Sequence, residues 1–346
     1  MASRVVRAGV AVALVAASCA GVAAGAGHGV RKVGLRTQVF LVDPNGGVRR
    51  LTSGPEEHDS PTWCAGGRRI VAISDPHVKV LAAGDGRVLH RMNAGGGWVA
   101  SASPSPDCRR FATVVLPKGR NPTALLVLST DGSRHDVGQH RVYGRPAWSP
   151  DGRTIYYAKG RAQDPDTSDI WSIARDGDDP RKLISDTEDA PRLSPSGRTI
   201  LYATSGKGDQ HDLWIARVDG THRRRLRSGQ ELRDFGWMPD GEHVFAQEEY
   251  VRRRALLISR SGEARRIGRR LDRYAHVALA PDGRRIAWTD DRERLGAQVK
   301  VGPYDGRTAR LLADFRPSSE YIGFSSFEWS PLGDRILVAP YRDLSD

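Results

Sequence analysis

Short apolar runs alternate with polar turns along almost the whole chain. One set of runs comprises T-I-Y-Y-A from Thr154 and R-I-A-W-T from Arg285. A second set comprises D-I-W-S-I-A from Asp169 and D-L-W-I-A-R-V from Asp212, and a third R-K-L-I from Arg181 and R-R-L from Arg224. Asp-Gly pairs at Asp176-Gly177, Asp219-Gly220 and Asp305-Gly306 follow the second set. Asp-Gly between apolar runs is a strong local signal for a β-hairpin. No segment keeps a 3.6-residue apolar period, so the pattern predicts strands with helices nearly absent.

Each set of strands begins at a turn close to S-P-D-G. The copies are W-C-A-G-G-R-R-I from Trp63, P-S-P-D-C-R-R-F from Pro104, W-S-P-D-G-R-T-I from Trp148 and L-S-P-S-G-R-T-I from Leu193. W-M-P-D-G-E-H-V from Trp237, L-A-P-D-G-R-R-I from Leu279 and W-S-P-L-G-D-R-I from Trp329 complete the series. Successive copies lie 41, 44, 45, 44, 42 and 50 residues apart. Pro sets φ at the first corner of such a turn, and Asp and Gly suit the reversal. Seven four-stranded units of this length predict an all-β, seven-bladed β-propeller. Only one strand, R-I-L-V-A-P-Y from Arg335, follows the seventh turn. The runs T-Q-V-F-L-V-D from Thr37 and V-R-R-L-T from Val48 supply the rest, so strands from both termini build the last blade and close the ring. Residues 37–346 are expected to form this one domain.

The order W-S-P-D-G-[RK]-x-I, then D-[IL]-W, then a basic-basic-Leu strand resembles the TolB-like β-propellers. In WD-repeat propellers the Trp-Asp pair ends the third strand, whereas here Trp171 and Trp214 follow the Asp. The resemblance covers residues 37–341 and implies the fold. Its functional implications diverge, because the family includes periplasmic binding proteins, propeller domains of prolyl peptidases and some lyases. Typical TolB proteins have six repeats and an extra N-terminal domain; this chain departs from both features.

The chain begins with Arg4 and Arg7 ahead of a stretch of Ala, Val, Gly and Leu to residue 26, with small-x-small sites at Val22-Ala23-Ala24 and Ala24-Gly25-Ala26. That composition predicts a signal peptide over residues 1–26 and a linker over 27–36, hence export to the cell envelope or beyond. Cys19 is a candidate lipid acceptor, and retention of the leader as an anchor is the competing reading. Contact with membrane is expected only through that leader. Lys and Arg number 53 against 41 acidic residues, a net charge of +12, and only seven of the 53 are Lys. A positive field favours an anionic cell-envelope polymer as partner, beside a protein. Nucleic acid is not expected, since the Arg residues are spread over every repeat.

No G-x-S-x-G, H-E-x-x-H or glycine-rich phosphate loop with Lys occurs, so no catalytic residue is assigned and no cofactor is expected. Carboxylates at Asp164, Asp166, Asp169, Asp209, Asp212, Asp290 and Asp291 could attract a cation, since Ca²⁺ takes oxygen ligands. Asp169 and Asp212 recur at one place in the repeat, which points to loop hydrogen bonds instead, and no metal is assigned. His276 and Asp234 lie three residues before their motif copies, and Asp59 and Asp189 four before theirs. With Arg145 they lie where innermost strands begin and are candidate ligand-binding residues at one mouth of the channel. Trp98, beside Gly95-Gly96-Gly97, and Tyr321 fall outside the periodic aromatic positions and are candidate contact residues. The periodic tryptophans are expected to pack blade on blade.

Cys64 and Cys108 remain once the leader is removed, and they occupy turns of neighbouring blades. Cys108 stands where other copies keep Gly, so a positive φ is expected there. Export permits a disulfide. Equivalent turns on packed blades lie ~10 Å apart, whereas the bond needs Cα atoms within about 7 Å. The sequence is compatible with bonded and with free cysteines. The leading reading is a secreted, non-catalytic propeller that binds a protein or envelope ligand at one face. The alternatives are a propeller-fold lyase acting on a polysaccharide or small molecule, and a membrane-anchored sensor.

Overall fold

The computed structural model describes residues 36–118, 122–162, 167–205, 210–230, 232–248, 255–267, 276–290, 298–304, 308–315 and 321–342. The leader, Cys19 and residues 27–35 of the linker lie outside them. Seven antiparallel sheets follow one another around a ring. The innermost strands of blades 1 to 7 are Asp59–Cys64, Trp98–Pro104, Val142–Trp148, Arg192–Leu193, Leu232–Trp237, Val277–Leu279 and Tyr321–Trp329. Among the described residues the only helical element is a 3₁₀ turn, Ala65–Gly67, and no helix is long and apolar enough to cross a membrane.

Blade 7 is built from both ends of the described chain. Tyr321–Trp329 pairs with Ile336–Arg342, which pairs with Phe40–Val42, which pairs with Val48–Arg50. Leu41 lies opposite Leu337 in that register. The run from Thr37 is broken rather than continuous: Arg36–Thr37 and Phe40–Val42 pair separately with the same strand.

The repeated turn has a physical reading at each position. In blade 3, Asp151 Oδ1 accepts from Ser149 Oγ at 2.6 Å and from Arg153 N at 3.1 Å. Gly152 N donates back to Ser149 O at 2.9 Å with φ at 66°, a conformation that strains any residue with a Cβ. The proline of one turn supports the glycine of the next. A Cβ on Gly197 would meet Pro150 Cδ at 2.3 Å, and one on Gly152 would meet Pro106 Cδ at 3.7 Å. Similar contacts join Gly241 to Pro195, Gly333 to Pro281 and Gly67 to Pro331. At these five seams the turns therefore overlap like tiles, whereas Gly283 of blade 6 has open space there.

The motif tryptophans fasten the inner edge. Nε1 of Trp63, Trp148, Trp237 and Trp329 donates to the carbonyls of Glu328, Ser103, Arg192 and Ala278, at 3.4, 2.9, 3.0 and 3.1 Å. Each acceptor sits one residue before the motif copy of the preceding blade. A buried indole N–H needs such a partner. The blade faces are apolar: Ala112 and Val114 of blade 2 pack with Trp148, Ile155 and Tyr157 of blade 3. Basic residues of the outer strands fasten the perimeter. Arg49 Nη2 donates to Ala83 O at 2.9 Å and Arg265 Nη1 to Tyr304 Oη at 3.1 Å, each crossing to the next blade. His135 Nε2 lies 2.7 Å from Asp176 O. Part of the arginine excess thus holds the ring together.

The boundary between blades 1 and 2 differs. Ala65 replaces the motif proline, Pro104 the tryptophan, and Cys108 the glycine, with φ at 55°. Here Cys64 and Cys108 are joined by a disulfide, their Cα atoms 5.7 Å apart. Turn overlap is the reason for the short distance: the glycine position of one blade sits over the preceding turn, not beside its own equivalent.

Candidate functional site

All seven innermost strands run the same way, so their first residues collect at one mouth of the bore. Three of the sequence candidates share a device there. Asp59, Asp189 and Asp234 each accept on Oδ1 from the backbone N–H of the next residue, at 2.7, 2.6 and 2.8 Å. Burial raises the Asp59 carboxyl above the usual range, opposed by hydrogen bonds from the Ser60 backbone and the Ser325 and Ser60 side chains.

Two arginines work below these carboxylates. Arg192 Nη2 lies 3.2 Å from Asp189 Oδ2 and 3.3 Å from Asp234 Oδ1, and its guanidinium covers the Phe235 ring at 4.5 Å. Arg145 Nη1 lies 3.6 Å from Glu328 Oε1. That second pair joins blade 3 to blade 7. Three steps is the largest separation available in a ring of seven, so the pair spans the bore. Glu328 is itself held, accepting from Thr62 Oγ1 at 3.0 and 3.2 Å and from Trp63 N at 3.4 Å.

His276 immediately precedes the inner strand of blade 6, with its backbone N–H donating to Thr289 Oγ1 at 2.8 Å. Its ring stands edge-on to Phe324 of blade 7, 6.4 Å between centroids. Trp98 opens the inner strand of blade 2 and is 51% exposed. Tyr321 opens that of blade 7; its side chain lies outside the described residues. The structure therefore sets Asp189, Asp234 and Arg192 together, places Arg145 across the bore, and spreads Asp59, Trp98 and His276 around the rim. Arg192, Glu328 and Tyr143 were not singled out in the sequence. Arg192 and Glu328 share one signal, a charged residue one place before the motif. Tyr143 is 38% exposed at the start of the blade 3 inner strand, next to blade 2.

The acidic loops are occupied by protein groups where they are described. Asp169 Oδ1 accepts from Arg161 Nε at 3.0 Å and from Asp186 N at 3.3 Å. Asp212 accepts from Gly229 N at 3.0 Å and lies 3.2 Å from Arg225 Nη1. Asp164, Asp166, Asp209 and Asp291 lie outside the described residues, as does the side chain of Asp290. Among the described residues no three His, Cys, Asp or Glu side chains gather as a metal site.

No family model matches the chain. The Tol-Pal system protein TolB of Anaeromyxobacter dehalogenans is 30% identical over 124 residues, which is 34% of this chain and 27% of that protein. A candidate TolB from Agrobacterium tumefaciens superposes with a TM-score of 0.51 at 20% identity, over 90% of this chain and 99% of its own. The oligogalacturonate lyase of Vibrio parahaemolyticus superposes with a TM-score of 0.63 at 13% identity, over 88% of this chain and 96% of its own. Those likenesses establish the fold. The chain spans between 16% and 61% of the lengths of the curated relatives it matches.

Proposed function

We propose a binding role for this TolB-like β-propeller: it is an exported, non-catalytic protein that holds a cell-envelope protein at the mouth where the inner strands begin. One observation carries the reading. The carboxylates of Asp59, Asp189, Asp234 and Glu328 at the mouth are held by arginines, hydroxyls and backbone N–H groups, an arrangement that presents a shaped polar surface. Half-exposed Trp98 and Tyr143 flank this surface, and exposed aromatics at such places are common contact anchors. An anionic envelope polymer is the finer alternative partner, favoured by the net charge of +12.

Export rests on the leader over residues 1–26, with lipidation at Cys19 or retention as an anchor as its variants. The bonded Cys64 and Cys108 suit an oxidising compartment. N-terminal sequencing of the exported protein should give a start near Gly27; an intact leader supports the anchored form instead.

The binding reading is tested by affinity capture from an envelope extract. Wild-type protein should retain a defined protein partner, and Trp98→Ala and Arg145→Gln should each reduce its recovery at least tenfold. Equal recovery by all three proteins contradicts the mouth as the site.

A further inference from the structure

We propose that Arg145 receives the free carboxylate at the end of a partner polypeptide. This rests on the mouth being a protein-binding site, and it adds which chemical group enters and how far.

The two arginines of the bore differ in how fully they are used. Arg192 is gripped by Asp189 and Asp234 and stacked on Phe235. Among the described residues Arg145 pairs with Glu328 at 3.6 Å, which is longer than a hydrogen bond, and its side chain is 40% exposed. Glu328 does not depend on that pairing, since Thr62 and the Trp63 N–H hold it from the other side. An exposed ion pair of this length is weak in water. Arg145 can therefore turn to an arriving anion while Glu328 keeps its own donors. A guanidinium presents two parallel N–H groups, which match a carboxylate better than any other side chain does.

The acids of the mouth have donors of their own. Arg192 offsets Asp189 and Asp234, Asp59 accepts from the Ser60 N–H, and Glu328 accepts from Thr62 while only Nη1 of Arg145 approaches it. The bore also selects for an end. Because the Arg145–Glu328 pair joins opposite blades, a chain running through the bore would have to break it and stay between the two groups. A terminus need only reach it. A polypeptide's C-terminus brings the carboxylate with it and presents the narrowest part of the chain.

The test uses the full chain, immobilised, with a random octapeptide pool supplied as free acids or as C-terminal amides, and retained peptides quantified by mass spectrometry. Free acids should be retained at least tenfold over amides. Arg145→Gln should abolish that preference, and Arg145→Lys, which keeps the charge without the fork, should reduce it at least fivefold. Glu328→Gln should preserve it, and 10 mM inorganic phosphate should compete poorly. Equal retention of acids and amides, or a preference that survives both Arg145 substitutions, overturns the proposal. Equal retention that still falls in Trp98→Ala overturns the carboxylate assignment alone and leaves the mouth as the site. Phosphate displacing the peptides at low concentration shows a general anion site and also overturns it.

Discussion

Blade 1 meets its two neighbours by different chemistry. Toward blade 2 it has the Cys64–Cys108 bond in place of the motif proline, glycine and tryptophan. Toward blade 7 it keeps the indole hydrogen bond of Trp63 and the Gly67–Pro331 contact. It adds an ion pair between Lys79, 1% exposed, and Glu56 in the segment that leads from the ring-closing strand to Asp59. Gln38 Nε2 donates to the Glu56 carbonyl at 3.1 Å, tying that segment to blade 7. One side of the blade is covalent and redox-dependent. The other is ionic and acid-dependent. The difference shows that the repeat needs a fastener at each seam and that its chemistry can be exchanged.

The largest expected effect comes from removing the covalent side. Cys64→Ser with Cys108→Ser should lower stability by about 4 kcal/mol, the chain-entropy estimate for a loop of this length. Denaturant unfolding of oxidised and variant proteins measures it. A loss under about 1 kcal/mol would show that apolar packing alone holds the seam. Restoring only the motif glycine sharpens the comparison: Cys64→Ser with Cys108→Gly should recover about 1 kcal/mol over the double serine variant. Gly relieves the positive φ of 55° at position 108, whereas a proline at position 65 would not fit, because Ala65 itself has φ at 49°.

The ionic side should respond to acid. Lys79 lowers the Glu56 pKa through a hydrogen bond and its charge, so this stabilisation is complete above about 4.5 and is lost as pH falls through the lower folded value. His58 is pushed down to about 4, first by burial and then by Lys79, with Glu56 opposing. Its neutral form is the folded one, so its contribution is present above about 6.5 and fades as pH falls toward 4. Arg91 and His77 complete the charged surroundings. Hydrogen exchange of residues 51–60, taken relative to the intrinsic rate at each pH, should rise between pH 6.5 and 4 before the blade 2 seam loosens. Lys79→Met should flatten the rise, since an apolar side chain leaves no buried charge; an unchanged pH profile in that variant would remove Lys79 from the account.

The smallest effect is expected at the rim. Trp98→Ala should change stability by under about 0.5 kcal/mol, because the side chain is half exposed. A drop in melting temperature comparable to that of the cysteine variant would assign Trp98 to packing.

Local features of the repeat made the architecture legible. The spacing of the seven turns set the blade count, the strands left over at both ends implied closure, and the periodic tryptophans pointed to the blade seams. The Asp169 and Asp212 loop bonds followed from their recurrence at one repeat position. What escaped depends on the rotation between blades. The Cys64–Cys108 distance follows from turns that overlap rather than align, and no spacing in one chain encodes that offset. Arg145 and Glu328 belong to repeats four motif copies apart, and they meet only because blades 3 and 7 face each other across a bore. Arg192 looked like one more surface arginine until Asp189 and Asp234 converged on it.

The claim that the inner-strand mouth is where a partner sits is tested most directly by hydrogen-exchange footprinting of the captured complex. Protection should increase in peptides covering Asp59–Cys64, Trp98–Pro104 and Val142–Trp148 and around Asp189 and Arg192, with the S-P-D-G turns unchanged. Protection confined to those turns or to the outer strands would place the partner elsewhere and contradict the account.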